Sequence, residues 1–239
     1  MVLYVRMNNI HLYEILLKIL KYRYNFRVWN HDAPIDLFKI SFVDPKKITR
    51  ITGRGKKPYR QRFRHIGKIS EGDWDKRNKT KLLLESKNFR MIKKRYNENY
   101  EWDDIKILQS MKKAVQNGES RWHGCTTVNE IQNRCERMDN LYESIRTEGY
   151  KTARQLAAEK GVNFNHPIRL LDEVSVDVGR DGELLFVDGT HRFAIARSLG
   201  LDKIPVLFIA RHKLWMNKRQ RFYHSGNHPS HPDLCEIIN

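Results

Sequence analysis

Apolar and polar positions recur along this chain with several periods. Ile10, Tyr13, Leu17, Leu20 and Tyr24 recur at helical spacing, with Leu16 and Ile19 beside them, and predict an amphipathic helix over 10–24. Residues 37–43 have strand character and stop at the Asp44-Pro45 turn signal. From about 80 to 118 the pattern is helical. Lys, Arg and Glu take one face, Leu, Phe, Met, Ile and Tyr the other, and Asn117-Gly118 ends it. A second helix is predicted over 128–147. Cys135, Met138, Leu141, Tyr142 and Ile145 form its apolar side, and Gly149 stops it. A shorter helix, 152–160, ends at Gly161. With the helix before it, this one mimics a helix-turn-helix, but it carries only Arg154 and Lys160 for reading DNA.

Residues 173–211 carry the clearest signal. Val174, Val176 and Val178 alternate, as in a half-buried strand. Arg180-Asp181-Gly182 is a turn, and 183–187 is a second strand, giving a hairpin. Asp188-Gly189 breaks it. From Thr190 the period becomes helical, with Phe193, Ile195, Ala196 and Leu199 on the buried side and Gly200 as the stop. Residues 204–210 are almost wholly apolar, hence a buried strand.

Composition narrows the field. The chain has 239 residues, long enough to bury a core without disulfides. No apolar run approaches the roughly 18–20 residues of a membrane span. Glu14, Lys18 and Lys21 interrupt the first helix, which disfavours a secretory signal; basic residues at its end leave a membrane-surface role open. Three cysteines cannot make a disulfide framework and point to a reducing, cytoplasmic setting. The net charge of +17 is uneven: residues 1–100 hold 25 Lys/Arg against 9 Asp/Glu, the rest 20 against 19. Residues 46–64 contain nine basic side chains and no acid, with Tyr59 and Phe63 among them. That cluster suits DNA or another polyanion, or is a solvated loop.

Several residue groups could carry chemistry. Asp73 and Asp75 flank Trp74 after Gly72, and two carboxylates on a turn can hold a metal or act as a base; the same pattern also starts a helix. His123, Cys125 and Cys135, and the tail residues His224, His228, His231 and Cys235, are metal-ligand types without the spacing of a structural zinc site. The turn before Thr190 is better defined. A helix that starts directly after Gly189 points its first N–H groups and its positive dipole end back at the turn. Thr190 can cap, and His191 and Arg192 add donors, so a phosphate fits there; alternatively His191 and Arg192 pair with nearby carboxylates.

The segment DGTHRFAIARSLGLDKIPVLFI resembles the core motif of the ParB/sulfiredoxin superfamily, with Gly189, His191, Arg192, Ala194, Ala196, Gly200, Ile204, Pro205 and Val206 at matching places. The resemblance covers about forty residues, and more loosely reaches the strand end at Phe42 to Pro45. The whole chain is also similar to uncharacterised archaeal and viral proteins that share the turns at 72–75 and 179–182 and the helix end at 141–150. Sulfiredoxins carry a reactive Cys before His-Arg; here that position is Thr190. ParB proteins place a helix-turn-helix and a dimerisation domain downstream, and only 28 residues follow Arg211. Asp188-Gly189-Thr190-His191-Arg192 is closest to the free-serine kinase branch.

The resemblance implies an α+β fold: a ParB/sulfiredoxin-like core, a small mixed sheet with helices, over 32–213. A helical insertion spans about 76–165, a basic extension 1–31, and a polar tail 214–239. It implies nucleotide phosphates (ATP, ADP or CTP, with Mg2+) held at Gly189, Thr190, His191 and Arg192. Asp188 would then be the metal ligand or base, His191 a catalytic partner, and Asp73 and Asp75 second-choice carboxylates. The function expected is that of a kinase or NTPase. The alternative is a DNA-binding or nuclease-like relative using the basic half, and a third reading is an idle scaffold.

Overall fold

The structure, a computed structural model, describes residues 31–55, 65–159, 161, 172–227 and 229–235, with residues 15, 18–20, 22, 24 and 25 of the first helix. Seven strands form one mixed sheet: β1 (Ile40–Val43), β2 (Arg50–Ile51), β3 (Lys68–Ser70), β4 (Lys81–Leu82), β5 (Val174–Val178), β6 (Leu184–Asp188) and β7 (Ile204–His212). Their order is β1-β7-β5-β6-β2-β4, and β3 follows β1 along the outer edge of β7. The fold class is α+β, as the sequence leads one to expect.

Strand β7 is buried at all nine positions because both of its faces are covered. Val206 and Phe208 face the main core. Leu207 and Ile209 face a smaller one completed by Leu37, Ile66 and two residues of the first helix, Leu20 and Tyr24. That alternation explains the unbroken apolar run. The described part of the first helix thus packs on the body.

Five helices are described between β4 and β7: α1 (Lys87–Asn97), α2 (Lys106–Gln116), α3 (Val128–Glu148), α4 (Ala153–Glu159) and α5 (Thr190–Ser198). The helix expected over about 80–118 is therefore two helices preceded by a strand. Helix α1 ends before Asn99, whose left-handed φ of 56° reverses the chain into a 3-10 turn at Trp102–Asp104. Lys81 and Leu82 pair with Ile51 and Arg50, so β4 belongs to the sheet and the helices begin after it. Helix α3 starts with a capping box between Thr127 and Glu130. The insertion has a core of its own, built on Met91, Trp102, Leu108, Ile131 and Cys135. Phe89, Phe186 and Phe193, with ring centroids 5.0–5.8 Å apart, weld α1 and α5 to the sheet.

The described residues of the expected polar tail include a helix and a 3-10 turn. Helix α6 (Lys213–Ser225) buries Trp215, Met216 and Arg219. Asp233, 1% exposed, accepts from Arg211 Nε at 2.9 Å and from Trp215 Nε1 at 2.7 Å, and lies 3.3 Å from Arg219 Nε. Three sequence-distant polar groups therefore converge on a buried carboxylate, which hydropathy cannot reveal. Gly182 sits against the Trp215 ring, where a Cβ would come within 2.7 Å, at a φ of +90° that suits only glycine.

Burial alone would raise the Asp233 pKa, but the charges of Arg211 and Arg219 outweigh it and hold the carboxyl below its ordinary value. Its stabilisation is thus present above the unfolded pKa of about 3.9 and is lost as pH falls through the lower folded value. Asp233→Ala strands two buried guanidinium groups and is expected to cost about 3–5 kcal/mol in urea unfolding at pH 7. An unchanged midpoint would mean that the tail does not anchor α6.

Candidate functional site

Gly189 follows the end of β6 and opens α5 in the left-handed region, at φ 92° and ψ 32°. A Cβ there would lie 2.9 Å from Val174 Cα, so only glycine lets the turn lie against β5. The Gly189 N–H is taken by Asp188 Oδ1 at 2.7 Å. Helical bonding begins with Phe193 N–H donating to Gly189 O, at 3.0 Å. The N–H groups of Thr190, His191 and Arg192 precede it and have no acceptor in the helix.

The helical insertion closes over this turn. Trp122, His123 and Gly124 are consecutive left-handed residues, at φ 37°, 62° and 97°. For Trp and His that conformation is strained and persists only where packing imposes it. It sets His123 against His191, ring centroids 5.9 Å apart, and Trp122 edge-on to His191 at 6.2 Å. Trp122 is 7% exposed and its Nε1 has no partner; His191 Nε2 is likewise buried and unpartnered. Buried polar atoms without a described partner, on two rings in contact, call for a ligand or water atom to complete their bonding.

Arg134, from α3, brings the charge. Its Nε donates to Cys125 Sγ at 3.2 Å and its guanidinium lies 5.9 Å from the Trp122 ring. It pairs with no carboxylate among the described residues. Burial, with the neighbouring His123 and Arg134, pushes the His191 pKa down to about 4. Burial and Arg134 also lower His123, against an opposing pull from Asp188. Both imidazoles are therefore neutral near pH 7.

Arg192 is not available to a phosphate. It donates to Glu173 Oε2 at 3.4 Å, to Asp172 O at 3.3 Å and to Lys151 O, and its guanidinium stacks 4.5 Å from the Tyr150 ring. Glu173, 2% exposed, also accepts from Ala153 N–H at the start of α4, and burial raises its pKa against these bonds. Arg192 thus fastens the α3–α4 connection to α5. This is the pairing with a carboxylate that the sequence left open.

Asp73 and Asp75 are also elsewhere. Asp75 receives Arg180 Nε at 3.1 Å and Arg180 N–H at 2.6 Å, and Asp73 receives Arg180 Nη2 at 2.9 Å. Burial would raise the Asp75 pKa, yet its bonds to Arg180 hold it below the usual value. This clamp lies at the turn end of the β5–β6 hairpin. Asp188 is at the other end, five strand residues or about 16 Å away. The two carboxylates therefore brace a turn and share no site with Asp188.

The metal-ligand types do not converge. No group of three or more His, Cys, Asp or Glu among the described residues is placed to hold a metal. Cys125 and Cys135 are buried in the insertion, and burial pushes the Cys135 thiol up to about 12. His231 bonds Gly182 O and caps Asp233 N–H, and His224 lies 3.2 Å from Asp32; His228 is outside the described residues. Of the 46–64 cluster, residues 56–64 are also outside them, and Arg54 is buried on Asp177 at 2.9 Å. No known protein family, characterised protein or solved structure matches the chain. No helix among the described residues is long and apolar enough to cross a membrane.

A histidine held neutral by burial destabilises the fold when protons are plentiful. The unfolded imidazole protonates near 6.5, the folded His191 only near 4, so stability falls as pH drops from 6.5 to 4. At about 1.4 kcal/mol per pH unit of displacement, His191 accounts for up to about 3 kcal/mol of that loss. His191→Gln is expected to flatten this part of the pH–stability curve in chemical unfolding. An identical slope would place the titrating group elsewhere.

Proposed function

We propose that the turn from Gly189 to Arg192 holds nucleotide phosphates and that the chain works as a kinase or NTPase on a ParB/sulfiredoxin-like core. The observation that supports this best is the set of unspent donors near this turn. The N–H groups that open α5, Trp122 Nε1 and an Arg134 guanidinium that meets no described carboxylate all belong to residues that neighbour the His191 and His123 rings. An anion is the ligand such a set can satisfy, and the start of α5 favours negative charge. Arg134 takes the charge-compensating role first assigned to Arg192.

Phosphoryl transfer asks mainly for positioning and charge stabilisation. His123 is neutral, exposed and within the field of Asp188, so it can accept a proton from an attacking hydroxyl or water. Asp188 spends one oxygen on Gly189 N–H and no carboxylate cluster accompanies it. It therefore fits Mg2+ only as a single protein ligand, with the nucleotide's own phosphates completing the shell; the ion would supply charge neutralisation there.

A thermal-shift panel of ATP, ADP, CTP and GTP with Mg2+ tests this reading. A nucleotide at about 100 times its Kd adds about 2.7 kcal/mol of apparent stability and raises the Tm. Arg134→Ala is expected to weaken that nucleotide at least about tenfold, the loss of one charge-assisted contact. Arg192→Ala is expected to lower the Tm without ligand. If no nucleotide shifts the Tm, the reading fails.

A further inference from the structure

Helices α1 and α5 lie side by side and point the same way. Near their starts Phe89 meets Phe193, ring centroids 5.8 Å apart. At their ends Asn97 Nδ2 donates to Ser198 O at 3.2 Å and Ser198 Oγ to Asn97 Oδ1 at 2.8 Å. The first turn of α1 therefore opens on the same side as the Gly189 turn, with helix axes about 8–10 Å apart.

That first turn holds two exposed cations, Lys87 and Arg90, and no acid. Basic side chains at the positive end of a helix are electrostatically misplaced unless an anion meets them. Ser86, at the cap position, makes no side-chain bond to the helix. The chain leading into α1 adds exposed Lys79 and Lys81, the latter on the edge strand β4. None of these four forms an ion pair with a described carboxylate. Residues 76–95 hold nine basic side chains and one acid, Glu85, which is spent on Leu82 N–H at 3.0 Å. Lys76, Lys93, Lys94 and Arg95 meet Asp73, Glu98, Glu101 and Asp139, which leaves Lys79, Lys81, Lys87 and Arg90 as cations of this segment without a described carboxylate.

We infer that the substrate the proposed kinase or NTPase acts on is a polynucleotide, whose phosphodiester backbone approaches Arg134 and the start of α5 over Lys87 and Arg90 from Lys81 and Lys79. The inference rests on the proposed phosphate-binding turn and names its substrate class. A free mononucleotide carries its charge within a few ångströms and leaves this flank unmatched. A repeating anion matches it, and the first hundred residues, at 25 basic against 9 acidic, would steer it in. Single-stranded DNA and RNA share this chemistry.

The test is fluorescence anisotropy of labelled oligonucleotides of about 12 nucleotides, DNA and RNA in separate arms, over about 50–200 mM salt. The K87E/R90E double variant is the main probe. A carboxylate in the first turn suits the helix dipole, so α1 is expected to stay folded and the Tm to hold. Oligonucleotide affinity should fall at least tenfold. The slope of log K against log salt should shrink by about 1.4, two contacts at about 0.7 each for a single strand. Mononucleotide binding should be unchanged in this variant, whereas Arg134→Ala should weaken both ligands. Lys203→Glu, on an exposed residue away from the track, should change neither.

Mononucleotide binding without oligonucleotide binding overturns this inference and leaves the phosphate-binding turn standing. Oligonucleotide binding that ignores Arg134→Ala also overturns it, because the track would then bypass the turn. So do a double variant that binds as tightly as the parent, a Lys203→Glu loss of equal size, or equal competition by polyglutamate. Failure of both ligands to bind removes the turn reading itself.

Discussion

The close approach of Gly189 to Val174 is the constraint on which the candidate site depends. Strand β5 is held on both sides, parallel to β7 and antiparallel to β6, so its position is fixed by the centre of the sheet. Helix α5 can begin where it does only because nothing but hydrogen occupies the Cα of residue 189 on the side facing Val174. From that fixed start, the N–H groups of the first turn of α5 face its N-terminal end, and the insertion has a firm surface on which to lay Trp122 and His123. Moving the turn outward by the width of a methyl group would separate these donors from the residues that complete them.

The local parts of this arrangement are legible in the sequence. The alternating valines, the Arg-Asp-Gly turn, the Gly-Thr start of α5 and the apolar run of β7 each obey a short-range rule, and the structure contains all four. Helix α3 is likewise announced by its apolar period and its Thr127–Glu130 box. The helix expected over about 80–118 fails because amphipathic spacing persists across a chain reversal. Asn99 was the signal available, being a residue that accepts left-handed φ.

Long-range pairing is what the sequence conceals. Arg192 and Arg134 look alike as isolated residues. One is consumed by Glu173, Asp172 and Lys151, and the other meets no carboxylate among the described residues, which only the fold decides. The same holds for Asp75 and Asp188, two carboxylates beside glycines at opposite ends of one hairpin. Asp177 is the extreme case. It sits at a bulge in β5, fully buried, accepting both Ala210 N–H at 3.1 Å and the Arg54 guanidinium, yet it reads as a polar interruption in a valine strand. The His-rich tail misleads in the opposite direction, since His231 is a cap and a brace.

The site is assembled from two separately cored bodies. Asp188, His191 and the free N–H groups belong to the sheet and its helix, whereas Trp122, His123 and Arg134 belong to the insertion, whose apolar centre is distinct from that of the sheet. An anion bound between them would act as a cross-link, adding a contact that neither body makes by itself. Occupancy and the fluctuations of the insertion would then be coupled in both directions: filling the site would quiet the insertion, and loosening the insertion would empty the site. Substitutions deep in the insertion core, around Leu108 or Ile131, would in that case change ligand residence without touching the ligand.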